Sequence, residues 1–316
     1  MADPGFGDGA SAGAARRDDL LMRYQLGGGA IQTGLLRFEG DRANFFLLML
    51  QPPEKVAREK MPAREYVFIV DVSGSMSGFP LEVSKALVSD MLKDLRSMDR
   101  FNILFFEGGS YGLAERSLPA TPENVRRALQ VLSERSGGGG TNLLAALDHA
   151  FKMPAAGGMS RTFVAVTDGY VTVEPRAFAL IRKNLGQANF FAFGVGSSVN
   201  RHLIEGMARA GMGEPFVVLE KGHAASTAKR FREVVGAPAL THIKVAFDGF
   251  RASDVEPEAM GDLLAERPLL VFGKYAKGSA GHIRVSGVTG EGAYEKTVAL
   301  GSAAPDAKNS ALKYLW

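Results

Sequence analysis

Apolar and polar positions change rhythm twice along the chain. Between residues 20 and 52, short apolar stretches at 20–26, 30–38 and 43–51 are separated by Gly27-Gly28-Gly29 and Gly40-Asp41, the signature of strands joined by turns. Pro52-Pro53 then opens a charged connector over 54–64. From Tyr66 onward, continuous apolar runs alternate with segments whose apolar residues recur every three to four positions. This predicts strands at 66–70, 101–106, 163–167, 189–195 and 215–219, and helices at 81–98, 121–134, 142–151, 175–185, 200–210 and 224–235. Thr121-Pro122 supplies an N-cap with proline at the first helical position. Strands that are apolar throughout belong in a parallel sheet covered on both faces, so 65–235 reads as one doubly wound α/β domain.

After Pro238 the pattern returns to short, turn-punctuated strands at 241–247, 251–255, 268–275, 282–288 and 294–300. Neither flanking β set is large enough to close a sandwich alone. We therefore expect 20–64 and 236–305 to pair into one β-sandwich, with the α/β domain inserted between them. Residues 1–19 read as a flexible Gly/Ala/Asp-rich leader and 306–316 as a truncated helix.

Composition alters this picture little. A chain of 316 residues with 46% hydrophobic and 22% charged residues is ordinary for a globular protein of two domains. The formal charge of +3 comes without a basic run; Arg126-Arg127 and Lys229-Arg230 are isolated pairs on predicted helices, so we expect no nucleic-acid partner. With no cysteine, disulfides, thiolate metal sites and thiol nucleophiles are excluded; such a chain suits the cytoplasm and equally a periplasmic or secreted protein. No apolar run approaches the 18 residues of a membrane span, and 1–19 lacks the apolar centre of a signal peptide. We expect a monomer.

Ligands of doubly wound sheets bind beyond the carboxyl ends of the strands. Three predicted loops leave such ends with oxygen-bearing side chains: Asp71-Val72-Ser73-Gly74-Ser75, Thr141 after the glycines 137–140, and Thr167-Asp168-Gly169. Asp71, Ser73, Ser75, Thr141 and Asp168 form a hard-oxygen set without nitrogen or sulfur, suited to Mg²⁺, with Mn²⁺ or Ca²⁺ as substitutes, and unsuited to Zn²⁺. With the carboxylates acting through water, the ion would stay electrophilic and favour an acidic side chain from outside.

The order and spacing of these residues resemble the metal-ion-dependent adhesion site of von Willebrand factor A domains. Narrower likenesses, in Asn44-Phe45-Phe46-Leu47-Leu48-Met49, Phe101-Asn102-Ile103-Leu104-Phe105-Phe106, Phe272-Gly273-Lys274-Tyr275 and Leu312-Lys313-Tyr314-Leu315-Trp316, resemble the inter-alpha-trypsin inhibitor heavy chains and their bacterial relatives. The resemblance implies an A domain inserted in a sandwich like the integrin hybrid domain, normally preceded by a VIT domain, of which we expect at most an exit fragment here. It also tilts the expected location to the bacterial cell envelope or the exterior. The animal heavy chains are secreted and joined to a glycosaminoglycan through a C-terminal aspartate; nothing here matches that segment, so the matrix role is not carried over. Integrin β subunits continue this loop with acids for a second metal, whereas Met76 is followed by Ser77-Gly78-Phe79-Pro80, so a single metal is expected.

Each element also has a plainer reading. Asp71, Ser73 and Ser75 could cap the following helix, and Thr141 could cap the helix at 142. Glycines 137–140 lack the Gly-Lys-Ser/Thr of a phosphate loop, and a flexible approach of Thr141 to the ion accounts for them better. Gly194-Val195-Gly196 lacks the third glycine of a dinucleotide fingerprint, and the five histidines show no ligand spacing. Glu107, Glu174 and Glu220 end strands and could border the ligand face, although Glu174 before Pro175 also suits a helix start. The expected function is capture of an Asp- or Glu-bearing protein partner; the alternative is a metal-assisted hydrolase, against which no histidine lies in the three loops and their serines are better used as ligands.

Overall fold

The computed structural model describes residues 28–315 apart from Gln187 and Glu266. The strand expected at 20–26 and the leader at 1–19 lie outside the described residues, as does Trp316. The chain opens with β1 (Gln32–Glu39) and β2 (Asn44–Gln51), an antiparallel hairpin. The α/β region follows as β3 (Arg64–Asp71), α1 (Phe79–Lys93), β4 (Arg100–Phe106), β5 (Ser110–Gly112), β6 (Leu118–Pro119), α2 (Pro122–Ser133), α3 (Leu143–Lys152), β7 (Ser160–Thr167), α4 (Glu174–Asn184), β8 (Asn189–Val195), α5 (Arg201–Ala210), β9 (Pro215–Val218) and α6 (Lys221–Val235). Then come β10 (Pro238–Asp248), β11 (Ala252–Glu256), β12 (Leu263–Leu264), β13 (Leu269–Tyr275), β14 (His282–Thr289), β15 (Gly292–Ala299) and a terminal turn, α7 (Leu312–Leu315).

The central sheet runs β5-β4-β3-β7-β8-β9, parallel from β4 to β9, with β5 and β6 antiparallel on β4. Every residue of β3 is buried, which is why its sequence reads as one apolar run. Its side chains alternate between two cores. Tyr66, Phe68 and Val70 point to the layer of α1, α2 and α6; Val67 and Ile69 point to the layer of α3, α4 and α5. The continuous runs thus give the expected doubly wound fold.

The remaining strands form two four-stranded sheets, β1-β2-β13-β11 and β12-β10-β14-β15. β2 from before the α/β region pairs antiparallel with β13 from after it, with Leu48 opposite Val271. Phe46, Leu48 and Leu50 of β2 share one apolar cluster with Leu240, Ile243, Ile283 and Val285 of the other sheet. Leu264 of β12 instead enters the core beneath α1 and α6, joining the sandwich to the α/β region.

Two helices differ from expectation. The helix expected at 81–98 stops at Lys93, although Leu95 continues its apolar period. Asp99 holds the following turn: its carboxylate accepts from the Arg96 backbone at 2.9 Å and guanidinium at 2.8 Å, and from Arg64 Nη2 at 2.7 Å. The helix expected from 224 begins at Lys221, three exposed residues earlier, where no apolar position marks the start. The strands β5, β6 and β12 were not expected; at two or three residues they are too short to show a period.

Candidate metal centre

The first loop leaves β3, which lies beside β7 with Val70 opposite Val166. This register sets Asp71 next to Thr167. Thr167 Oγ1 donates to Asp71 Oδ2 at 2.5 Å, and the Ser73 backbone N–H donates to Oδ1 at 2.9 Å. Both oxygens of a fully buried carboxylate are thereby engaged. Burial pushes the Asp71 carboxyl up from its ordinary value; the bonds from Ser73 and Thr167 oppose that, and the charge of Asp168 adds to it. Ser73 Oγ and Ser75 Oγ stand 3.3 Å apart.

The second loop is stitched to the first by backbone bonds. Gly138 N donates to Val72 O at 3.0 Å and Gly74 N to Gly139 O at 3.2 Å. Close packing accounts for two of the four glycines, Gly137 and Gly139, while a Cβ on Gly138 or Gly140 would meet nothing within 4 Å. A Cβ on Gly137 would lie 2.3 Å from Ser77 Oγ, and one on Gly139, at φ +73°, 2.9 Å from Glu107 Oε2. Thr141 follows directly and is half-buried. The third loop carries Asp168, whose Oδ1 accepts from Tyr170 N at 3.0 Å and whose backbone carbonyl accepts from Asn200 N at 3.0 Å.

The capping readings fail on these contacts. The N-cap of α1 is Gly78, without a side-chain cap bond, so Asp71, Ser73 and Ser75 are not its caps. Asn142 caps α3 by accepting from Ala145 N at 3.2 Å, which leaves the Thr141 hydroxyl without a hydrogen bond among the described residues. Glu174 is the first residue of α4 and accepts from Asn200 Nδ2 at 3.0 Å. Its own helix-start backbone N–H, and then the Asn200 bond, hold its carboxyl below the usual range. Glu220 stands exposed just ahead of α6. Glu107 borders the site, since its carbonyl accepts from Asn142 N at 2.7 Å and its side chain faces Gly139. The sequence did not reveal the part played by Thr167, because its bond to Asp71 depends on strand register.

The donor set suits a hard cation. Ser75, Thr141 and the second oxygen of Asp168 keep free acceptor capacity, while the charge of Asp168 reaches Asp71 and no cation is paired to either among the described residues. Among those residues no group of three or more His, Cys, Asp or Glu is placed to hold a metal ion, so an ion here would need the hydroxyls as well as the carboxylates.

Residues 64–215 match the family model of the von Willebrand factor type A domain. The chain is 28% identical over 249 residues to inter alpha-trypsin inhibitor heavy chain 4 of Mus musculus, covering 73% of this chain and 25% of that one. It is 24% identical over 234 residues to a von Willebrand factor A domain-containing protein of Dictyostelium discoideum, covering 73% and 25%. The chain thus spans about a quarter of the length of these relatives. In fold it is similar to a von Willebrand factor type A protein from Catenulispora acidiphila (TM-score 0.60, 14% identity, 89% of this chain and 75% of that one). It is equally similar to the ArnB paralog VWA2 from Sulfolobus acidocaldarius (TM-score 0.60, 14% identity, 90% and 79%).

Proposed function

We propose, from the premise that residues 64–215 are a von Willebrand factor type A domain, that this chain is a Mg²⁺-dependent protein-binding module and not an enzyme. Ser73, Ser75 and Thr141 would hold the ion, with Asp71 and Asp168 orienting its water; Mn²⁺ or Ca²⁺ would serve in its place. The ion supplies a Lewis-acidic position for one carboxylate oxygen of a partner's Asp or Glu. The observation that carries this reading is the convergence of two carboxylates close enough to repel, Asp71 and Asp168, with the Ser73 and Ser75 hydroxyls, 3.3 Å apart, on the same loop as Asp71. Asp71 is locked by Ser73 and Thr167, so its role is to fix the loop and the charge of the site. Its buried charge, opposed by that of Asp168, favours entry of a cation.

Capture of a carboxylate needs no general base. The histidine nearest in the chain to these loops, His149, is bonded through Nδ1 to Ser110, 3.1 Å away. No helix among the described residues is long and apolar enough to cross a membrane. We place the module outside the cytoplasm, in the bacterial envelope or secreted, acting as a monomer toward an Asp- or Glu-bearing protein.

The test is thermal unfolding of wild type and Asp71→Ala, in EDTA and across a Mg²⁺ titration, with and without an Asp-containing peptide. Ligand at a hundredfold excess over Kd stabilises the folded state by about 2.7 kcal/mol. The wild-type midpoint should rise with Mg²⁺, further with peptide, while the variant stays flat. A wild type indifferent to Mg²⁺ in the presence of peptide would sink the reading.

A further inference from the structure

Between the α/β region and the sandwich, on the side away from the metal centre, lies a cleft of about 450 Å³. Its walls are Met212 from the turn after α5, Pro257 and Pro268 from the loops flanking β12, and Leu269, Leu270 and Phe272 of β13, all half-buried. Ligand sites of this size, apolar with a few polar groups, occur preferentially at domain junctions. The polar groups here are unequal. Asp262 is consumed by the protein, since its Oδ2 accepts from Ser160 Oγ at 2.5 Å and Asn189 Nδ2 at 2.8 Å. Glu256 is exposed at the rim.

Arg267 is the anomaly. Its guanidinium is half-buried, its one hydrogen bond runs from Nη2 to the Met212 carbonyl, and no carboxylate stands within ion-pair distance of it among the described residues. Glu214 acts on it only from farther off, and is itself paired with Arg230 at 3.6 Å. Burial accordingly pushes the guanidinium down from its ordinary value. A charge taken out of water without a counter-ion is costly unless something pairs with it. The planar guanidinium fork matches a carboxylate.

We propose that this cleft binds a small monocarboxylate with an apolar body, its carboxylate on Arg267 and its hydrocarbon against Leu270 and Phe272. The ligand would touch β13 of the sandwich and the turn before β9 of the α/β region together, so binding would also fix the two against each other. The site lies at the opposite end of the α/β region from Asp168, and the proposal stands without the metal reading.

Octanoate and octanamide serve as probes, titrated calorimetrically into the full chain, with ligand-to-protein NOEs locating them. We expect saturable, one-to-one binding of octanoate, about tenfold or more tighter than octanamide, as a hydrogen bond to a charged group implies. NOEs should reach the methyls of Leu270 and Met212 and the ring of Phe272. Arg267→Gln should lower octanoate to the affinity of octanamide and leave octanamide unchanged, which also shows that the variant is folded. Asp168→Ala should alter neither. Equal binding of acid and amide, no saturable binding, NOEs to another surface, or an acid preference surviving Arg267→Gln would each overturn the proposal. The wild-type comparison of acid and amide decides even where the variant does not fold.

Discussion

Asp262 joins the sandwich to the base of the central sheet. It sits just ahead of β12, and its carboxylate accepts from Ser160, the first residue of β7, and from Asn189, the first residue of β8; its own N–H donates to Asn189 Oδ1 at 2.9 Å. Burial raises its pKa from 3.8 to about 6, against the opposing pull of Ser160, Asn189 and His242. The folded state therefore binds this proton more tightly than the unfolded chain does. The stabilisation is fully present below pH 3.8 and is lost as pH rises through about 6. At 1.36 kcal/mol per pH unit, that interval corresponds to about 3 kcal/mol. Asp262→Asn keeps an oxygen for both donors and removes the titration. The new amide hydrogens carry a cost, but a cost independent of pH, which drops out of the comparison. Urea unfolding of wild type and variant, followed by circular dichroism between pH 4 and 7.5, should show the variant gaining on wild type by about 2.4 kcal/mol across the range, the rest of the effect lying below pH 4. A stability difference that is flat in pH would refute the assignment of the buried carboxyl.

Four further outcomes follow from the same structure. Asp99→Ala strands the guanidinium of Arg64, whose side chain is 5% exposed, and should cost about 3–5 kcal/mol in a denaturant titration; a neutral result would contradict the buried pairing. Against burial, hydrogen bonds from Arg96 and then Arg64 hold the Asp99 carboxyl below its ordinary value, so its stabilisation is present above that value and is lost as the pH falls below it, visible as a wild-type acid transition that Asp99→Ala blunts. Tyr294→Phe removes a buried hydroxyl that has no partner among the described residues, and its melting temperature should stay level or rise; a clear fall would mean the hydroxyl is bonded after all. Thr167→Val withdraws a donor from Asp71 and should cost about 1–3 kcal/mol in EDTA while weakening the Mg²⁺ response, and an unaltered Mg²⁺ titration would count against Thr167 as the residue that positions Asp71.

What could be read from the sequence, and what could not, divides by the range of the interaction responsible. The strand expected at 189–195 matches β8 residue for residue, because a buried central strand writes its own boundaries in its apolar run. The end of α1 could not be read, because Asp99 stops it partly through Arg64, thirty-five positions earlier in the chain. The same division runs through the site. Residue types and spacing name Asp71, Ser73, Ser75, Thr141 and Asp168 as candidates, but only the register of β3 on β7 shows which of them the protein has already satisfied. Asp71 is spent on Ser73 and Thr167, whereas the Thr141 hydroxyl has no hydrogen bond among the described residues, since Asn142 does the capping. Five residues equivalent as a motif are therefore unequal as chemistry. On the proposed metal reading, loss of Asp71 would disturb the fold of the loop and the ion together, while loss of the Thr141 hydroxyl would remove a donor to the ion and leave the loops joined by the backbone bonds of Gly138 and Gly74. Asp262 and Arg267 belong to no local pattern at all, and their roles arise only where the sandwich meets the base of the sheet.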